Sequence, residues 1–394
     1  MPPSPEPRRV SILGATGSIG TSTLDLIAGG DGHYRVEAVT AGTNVKELAA
    51  IARATGAAYA AIADESLLGE LRQELADTTT RVGAGPGAVE EAARMDADWV
   101  MAAIVGAAGL APTLAAVRQG GVVALANKEA LVCAGGLMIE EARQSGCVLL
   151  PADSEHNAIF QVFDADRIDA IEKIWLTASG GPFRDATRAR MMAATPEEAV
   201  RHPNWSMGRK ISIDSATMMN KSLEIIEASH LFPVSEERIG VIVHPESIVH
   251  GLVSYHDGSV LAGLAAPDMR TPIAHTLAWP DRIPASSRRL DLAATGQLTF
   301  ELPDENRFPA LGLARAAIHA GGSAPVTLNA ANEVAVAAFL DRRIGFLDIV
   351  AIVEATLARV ETAATGDIGA VIMADDEARR RAEEMVLERS ERTP

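Results

Sequence analysis

Asp153 and Glu155 are acidic residues separated by one position, directly after the apolar run 148–150. In extended chain, side chains at i and i+2 project to the same side, so the two carboxylates would converge. Converging negative charges require a cation, and oxygen-only ligands favour Mg²⁺ or Mn²⁺ over Zn²⁺. The alternative is that Asp153 or Ser154 caps a helix over residues 156–163, which requires no metal.

A polar loop over residues 202–210, bounded by proline and glycine, contains the next candidate residues. It carries His202 and Trp205, and such a loop suits a mobile lid that excludes water during a reaction. The residues after it predict a helix that begins near Ser215 or Thr217. A hydroxyl at a helix start favours a bound phosphate, because the N–H groups there are positively polarised.

The predicted helix brings an amide, an ammonium and a carboxylate together in one patch. At about 100° per residue, Asn220 and Glu224 lie on one face with Lys221 beside them. The alternative for Lys221 and Glu224 is a solvated ion pair. Ser179 follows the predicted strand 171–177 and precedes two glycines, so it offers a hydroxyl and bare backbone suited to a phosphate.

Glycines at positions 14, 17 and 20 follow the apolar run 10–13 and precede a helical stretch. Gly14 permits a tight turn, Gly17 lets the backbone approach a pyrophosphate, and Gly20 lets helix and strand pack closely. The N–H groups at the helix start would then meet the anion. The pattern predicts a dinucleotide-binding site.

The end of the second predicted strand, 36–40, bears on the choice of dinucleotide. An NAD site usually places an acidic residue there, whereas this chain has neutral Thr43 and Asn44 with Lys46 nearby. A strand end without an acidic residue tolerates the 2′-phosphate of NADP and therefore favours NADP over NAD. The alternative is that Thr43 and Asn44 are only turn residues.

Asn127, Lys128 and Glu129 follow the apolar run 122–126, which is predicted to be the fourth parallel strand. Ligands of open α/β sheets bind beyond the carboxyl ends of the strands. Lys128 would therefore point a cation at a substrate hydroxyl or carbonyl. The alternative is a surface lysine that begins a helix.

The order of the predicted elements indicates an α/β protein. Apolar runs alternate with helical stretches in the first part, which predicts a Rossmann-like domain with a parallel sheet. A central α/β domain with an open sheet would carry a flexible lid near 179–209, and a proline-rich linker would lead to a C-terminal helical bundle. In that bundle, residues 327–333 are predicted to form a turn before a helix. The predicted division is 1–150, 151–278, 279–309 and 310–394.

The composition excludes several classes of protein. The 394 residues carry a formal net charge of −17, and such an acidic surface repels phosphodiester backbones, which disfavours nucleic acid as a partner. No stretch approaches the ~20 apolar residues of a membrane span. The start, residues 1–9, is interpreted as a loose tail without a targeting signal. The two cysteines are therefore expected to be buried thiols in a reducing cytoplasm.

Together these segments resemble the 1-deoxy-D-xylulose 5-phosphate reductoisomerase family over essentially the whole chain. The resemblance rests on residues 14–20, 127–129, 153–155, 179–184, 202–224 and 267–274. It implies conversion of 1-deoxy-D-xylulose 5-phosphate, a small phosphorylated sugar, to 2-C-methyl-D-erythritol 4-phosphate in the non-mevalonate isoprenoid pathway. It also implies NADPH, a divalent metal (Mg²⁺ or Mn²⁺, with Co²⁺ as a further candidate) and a homodimer formed by the central catalytic domain.

The resemblance also implies roles for individual residues. The metal ligands would be Asp153, Glu155 and Glu224. The catalytic residues would be Lys128, Glu155, Glu224 and His202. The substrate would be bound by Lys128, Ser154, Glu155, Ser179, His202, Ser215, Asn220, Lys221 and Glu224. NADPH would be bound by Thr16, Gly17, Ser18, Ile19, Gly42, Thr43, Asn44, Asn127, Glu129 and Gly208, and Trp205 and Met207 would belong to the lid.

Two other functions are compatible with parts of this pattern. A simple NADP-dependent dehydrogenase would need neither a rearrangement nor three carboxylates around a metal. A non-enzymatic module that senses NADPH would need neither a metal nor a lid.

Overall fold

The computed structural model describes residues 6–30, 32–205 and 207–390, so residues 1–5 of the predicted tail and Ser206 of the predicted lid lie outside the described residues. The strands are β1 (Arg8–Leu13), β2 (Tyr34–Ala41), β3 (Tyr59–Ile62), β4 (Arg81–Ala84), β5 (Trp99–Ala102), β6 (Val122–Leu125), β7 (Val148–Pro151), β8 (Ile171–Ala178), β9 (Ile239–Val243), β10 (Val249–Tyr255) and β11 (Val260–Leu264).

The helices alternate with these strands in the first part of the chain and predominate at its end. They are α1 (Ser18–Ala28), α2 (Val45–Thr55), α3 (Leu68–Glu74), α4 (Pro86–Ala93), α5 (Leu110–Gln119), α6 (Lys128–Ser145), α7 (Ser154–Val162), α8 (Arg188–Met192), α9 (Pro196–Ala199), α10 (Arg209–Ala216), α11 (Met219–Leu231), α12 (Arg270–Ala278), α13 (Leu292–Thr295), α14 (Ala310–Ala320), α15 (Ala324–Leu340), α16 (Phe346–Arg359) and α17 (Ile368–Ser390).

The first of two compact units contains a seven-stranded parallel sheet. It comprises the described residues up to Ala130 together with Met138–Ser154 and Asp268–Ser287. The strand order is β4-β3-β2-β1-β5-β6-β7, with every pair parallel. This confirms the Rossmann-like parallel sheet. The strands β3 and β4 were not predicted, so the run 122–126 is the sixth strand and not the fourth.

The second unit contains a four-stranded mixed sheet and the C-terminal helices. It comprises Leu131–Leu137, Glu155–Pro267 and the described residues from Arg288 onward. The strand order is β11-β10-β8-β9, in which only β8 and β9 are parallel. Helices α11, α14, α15 and α16 share one apolar core with this sheet. The predicted α/β fold class with a helical C-terminal part is confirmed, and the domain boundaries at 150, 278 and 309 stay a prediction.

Two local predictions for the second unit are wrong. Residues 327–333 form no turn, because they lie inside the continuous helix α15, where burial of Asn329 and Asn332 in the core outweighs their preference for turns. The predicted helix near Ser215 is two helices, since Met218 takes a left-handed conformation (φ 63°) between α10 and α11. No glycine or asparagine marks that break in the sequence.

None of the described helices is long and apolar enough to cross a membrane.

Candidate active site

A buried group of charged side chains joins α7 to α11 in the second unit. Lys221 Nζ lies 2.7 Å from Glu155 Oε1 and also donates a hydrogen bond to Glu224 Oε2. Asn220 Nδ2 donates to the other oxygen of Glu224 at 2.5 Å. The Lys221 and Glu224 side chains are 4% and 0% exposed, so the solvated ion pair considered from the sequence is wrong. The predicted shared face of Asn220 and Glu224 is confirmed.

The local backbone around Glu155 differs from the extended chain predicted. Helix α7 begins at Ser154, which places Glu155 in its first turn. The predicted extended i and i+2 relationship between Asp153 and Glu155 is therefore wrong, because Glu155 lies in a helix. The Asp153 carboxylate lies just before the helix, and the Glu155 carboxylate lies inside it.

A second buried ion pair lies at the carboxyl edge of the parallel sheet in the first unit. Lys128 begins α6 after β6, and Asp153 follows β7. Lys128 Nζ lies 2.6 Å from Asp153 Oδ2, and the two side chains are 8% and 12% exposed. Lys128 is therefore not a surface lysine, because burial at this edge fixes its charge beside a carboxylate.

A second pair of buried side chains, which was not predicted from the sequence, lies between α7 and α11. His156 Nε2 lies 3.0 Å from the carbonyl oxygen of Glu224, and its Nδ1 lies 3.3 Å from Glu227 Oε2. Both side chains are fully buried. The available signals were adjacency to Glu155 for His156 and, for Glu227, three-residue spacing from Glu224, which places those two glutamates on one helix face.

Ser179 and His202 lie together at the end of β8. Ser179 Oγ is 2.8 Å from His202 Nε2. His202 Nδ1 accepts hydrogen bonds from the backbone N–H groups of Asn204 and Trp205 at 3.2 and 3.0 Å. An accepting Nδ1 leaves the proton on Nε2, and burial lowers the pKa of His202 to about 4. His202 is therefore a neutral donor toward the Ser179 hydroxyl.

The two glycines after Ser179 let the chain pass close to the end of α10. Gly180 and Gly181 have φ of +82° and +65°. A Cβ on Gly181 would lie 2.8 Å from the carbonyl oxygen of Ser215, so only glycine fits at this approach. Ser215 occupies the last turn of α10, which corrects its predicted position at a helix start. The backbone at Gly181, two residues after Ser179, thus passes close to the backbone at Ser215.

The predicted lid segment is tied to the turn between β9 and β10. Asn204 Nδ2 donates to the Pro245 carbonyl at 2.5 Å and to Ser247 Oγ at 2.9 Å. The rings of Trp205 and His250 meet edge to face with centroids 6.0 Å apart. Met207 and Gly208 lead into α10, with Gly208 at its N-cap.

The glycine-rich turn after β1 has the geometry expected for close packing. Gly14 has φ +86°, and a Cβ there would lie 2.7 Å from the Ala103 carbonyl oxygen. A Cβ on Gly20 would overlap the Gly14 carbonyl, which confirms that it permits close packing of α1 on the turn. Thr16 and Gly17 lead into α1, whose first two residues are Ser18 and Ile19.

The end of β2 carries more negative charge than predicted. Gly42 and the exposed Thr43 lead into α2, and Asn44 caps that helix by accepting from the Glu47 N–H at 3.3 Å. Asn44 Nδ2 also donates to the Glu47 carboxylate at 2.5 Å. Asn44 is therefore a capping residue, and an acidic side chain does lie at this strand end.

Asn127 and Glu129 flank Lys128 at the start of α6 and are both buried. Asn127 Oδ1 accepts from the Ala130 N–H at 3.2 Å, and its Nδ2 donates to the Gly106 carbonyl. The amide thus fixes the helix start to the loop after β5.

Comparison with known families assigns nearly the whole chain. A model described as 1-deoxy-D-xylulose 5-phosphate reductoisomerase matches residues 10–135, and a model of its C-terminal domain matches residues 149–232. A DXP reductoisomerase C-terminal domain matches residues 264–381. The reductoisomerase of Rhodospirillum centenum is 59% identical over 379 residues, which are 96% of this chain and 94% of that protein. The chain belongs to the 1-deoxy-D-xylulose 5-phosphate reductoisomerase family.

Solved structures of reductoisomerases share this fold. The enzyme from Zymomonas mobilis in complex with NADPH is 54% identical, with a TM-score of 0.92 over 97% of this chain and 99% of that chain. A DOX-P reductoisomerase in complex with NADPH, fosmidomycin and magnesium is 45% identical, with a TM-score of 0.93 over 96% and 98%. The family predicted from the sequence is confirmed.

The donor chemistry of this reductoisomerase fits a hard divalent cation. Glu224 and Glu155 present carboxylate oxygens beside Lys221, and Asp153 presents another just before α7. Carboxylates without thiolates suit Mg²⁺ and Mn²⁺. A fully buried carboxylate such as Glu224 also requires positive charge nearby.

Proposed function

We propose that this protein converts 1-deoxy-D-xylulose 5-phosphate to 2-C-methyl-D-erythritol 4-phosphate with NADPH and a divalent metal ion. The observation that carries the proposal is the buried arrangement of Glu155, Lys221 and Glu224 in a chain that belongs to the reductoisomerase family. A simple dehydrogenase would need no such group of carboxylates.

In this proposal Asp153, Glu155 and Glu224 hold Mg²⁺ or Mn²⁺, with Co²⁺ as a further candidate. Support comes from the oxygen-only donor set and from the burial of Glu224. When bound, the metal supplies Lewis-acid stabilisation of negative charge on the substrate oxygens. Ser154 and Lys128 would hold the hydroxyl and carbonyl end of the substrate, and the buried Lys128 ammonium suits that role.

The phosphate end of the substrate would be held by Ser179, His202, Ser215, Asn220 and Lys221. The Ser179–His202 hydrogen bond and the glycine contact with Ser215 support their proximity. His202 would donate from Nε2 as a neutral ring, because its Nδ1 accepts from the backbone. Binding energy at a phosphate remote from the reacting carbons anchors both fragments while a carbon–carbon bond is broken and re-formed.

The NADPH site in this proposal includes the turn after β1, the ends of β2 and β6, and Gly208 at the start of α10. It would comprise Thr16, Gly17, Ser18, Ile19, Gly42, Thr43, Asn44, Asn127, Glu129 and Gly208. The glycine geometry at positions 14 and 20 supports it, as do the relatives solved with NADPH. The branched aldehyde formed by the rearrangement must be retained until its reduction. Trp205 and Met207, in the segment that Asn204 ties down, would exclude water during that interval.

We further propose a homodimer formed through the mixed sheet. Its edge strand β11 carries Val260, Leu261 and Leu264 at 54, 49 and 39% exposure, and an exposed apolar edge strand favours association with a second copy. A cytoplasmic location belongs to the proposal as well, supported by Cys133 and Cys147, which are buried thiols and not a disulfide.

The proposed activity is tested by following NADPH oxidation after addition of 1-deoxy-D-xylulose 5-phosphate with Mg²⁺ or Mn²⁺, with identification of the product. The matched control substrate is 1-deoxy-D-xylulose, which lacks the phosphate and should be turned over poorly. Excess EDTA should abolish the reaction. Full activity in EDTA, or a product with an unbranched carbon chain, would refute the proposal in favour of a simple dehydrogenase.

A further inference from the structure

One buried polar contact connects α10 to the C-terminal helix α15. Asn332 Nδ2 donates a hydrogen bond to Asp214 Oδ1 at 2.8 Å. Lys210 Nζ lies 2.9 Å from Asp214 Oδ2 in the same helix, and the Asp214 side chain is 1% exposed. Asn332 is fully buried. The carboxylate of Asp214 is therefore held by an ammonium on one oxygen and by an amide from another helix on the other.

The Asn332–Asp214 hydrogen bond is a directional contact surrounded by apolar packing of α10 against α15. Ile213 and Ala216 of α10, and Leu328 and Ala331 of α15, are all buried in the same apolar core. Apolar contacts are non-directional and tolerate sliding of one helix on another. A buried hydrogen bond to a carboxylate is short and directional, and breaking it leaves a buried charge poorly satisfied. This bond therefore fixes the register of α10 on α15.

The position of α10 affects the proposed active site, because the chain segments on both sides of this helix carry proposed active-site residues. The lid segment enters α10 at Gly208, and Ser215 lies in its last turn. Met218 then turns the chain in a left-handed conformation into α11, which carries Lys221. Gly181 approaches the Ser215 carbonyl so closely that a small shift of α10 would also displace the Ser179 loop.

We propose that Asn332 is a positioning residue for the phosphate-binding end of the active site. Through Asp214 it holds α10, and with it Ser215 and the Ser179 loop, in the arrangement that receives the substrate phosphate. This inference rests on the proposed function, because the phosphate is the one carried by the sugar substrate. It assigns the C-terminal helices a part in substrate binding beyond stabilising the core.

The test compares Asn332→Ala with Asn329→Ala in the full-length enzyme. Asn329 is the matched control, because it is the same residue type in the same helix and equally buried, but its Nδ2 bonds to Glu333 of α15 itself at 3.2 Å. Both variants are expected to lower the unfolding temperature. Asn332→Ala should also raise KM for the substrate by about tenfold, because substrate binding must then also restore the position of α10 that the lost bond had held, with NADPH binding unchanged. Asn329→Ala should leave KM unchanged.

A conservative pair of variants at the other partner separates geometry from general destabilisation. Asp214→Asn retains an acceptor for the Asn332 amide and should keep KM within about threefold of wild type, whereas Asp214→Ala should behave like Asn332→Ala. Equal KM effects from Asn329→Ala and Asn332→Ala, or an unchanged KM in Asn332→Ala, would overturn the proposal.

Hydrogen exchange gives a readout that does not depend on turnover. Amides of residues 209–216 should exchange faster in Asn332→Ala than in Asn329→Ala, since only the first loses the bond to α10. Equal exchange rates of these amides in the two variants would overturn the proposal that the Asn332–Asp214 bond fixes the register of α10 on α15. Absence of turnover in the wild-type protein would instead refute the proposed function. The exchange rates would still show whether the Asn332–Asp214 bond holds α10 in place.

Discussion

Lys221 Nζ of α11 lies 2.7 Å from Glu155 Oε1 of α7, and this ion pair is largely shielded from water. The same ammonium bonds to the fully buried Glu224. A single cationic side chain thus keeps two carboxylates from repelling each other inside the second unit, and it places the proposed phosphate-binding lysine beside the proposed metal ligands.

Lys221→Ala should therefore have a larger effect on substrate binding than on NADPH binding. The variant removes the charge proposed to meet the phosphate and leaves Glu155 and Glu224 to repel each other. KM for the substrate should rise by at least about tenfold, while the NADPH dissociation constant measured by fluorescence stays near wild type. An unchanged KM would contradict the phosphate role. Lys173→Ala on β8, where the lysine lies over the Trp175 ring, is the matched control for loss of a lysine.

Glu224→Gln should abolish turnover while NADPH still binds. The substitution keeps the shape of the side chain but removes the charge that a divalent metal requires from its ligand. Initial rates should fall by at least about a thousandfold, and saturating Mg²⁺ or Mn²⁺ should not restore them. Wild-type rates in this variant would remove Glu224 from the metal site.

The buried His202 ring should make the folded protein less stable at acidic pH. Burial lowers its pKa from 6.5 to about 4, so the native state binds a proton less readily than the unfolded chain. The stability that this neutral ring contributes is complete above pH 6.5 and is lost as the pH falls from there toward 4. The unfolding temperature of the wild type should fall in this window.

The variant His202→Gln separates this effect from that of His275, whose pKa is also lowered to about 4, chiefly by burial. His202→Gln should show a smaller drop in unfolding temperature between about pH 7 and pH 5 than the wild type. An identical drop in both proteins would show that His202 does not carry the depressed pKa.

Gly181→Ala should damage substrate binding through the close approach to Ser215. Its φ of +65° disfavours a side chain, and the added Cβ would meet the Ser215 carbonyl at 2.8 Å. Gly146→Ala is the control, because Gly146 has φ +71° but nothing within 4 Å of an added Cβ. Both should lose about 1 kcal/mol from backbone strain, and only Gly181→Ala should raise KM. Similar KM values in the two variants would argue against the contact.

The local patterns predicted the elements well where short-range physics decides them. The glycine turn after β1 and the shared face of Asn220 and Glu224 follow from backbone sterics and from helical periodicity, which depend on neighbouring residues only. The break at Met218 was missed, because a left-handed methionine has no local signal and is held by the packing of α10 and α11.

By itself the sequence determined the family, the α/β class and the residue types available for metal, phosphate and dinucleotide binding. It left open whether each charged residue is solvated or buried, since the same Lys221–Glu224 spacing suits an exposed pair and a buried one. Tertiary structure alone decided that Lys221 pairs with Glu155, that His156 faces Glu227 and that Asn332 holds Asp214. These pairs join residues far apart in the chain, and their contact depends on how whole helices pack.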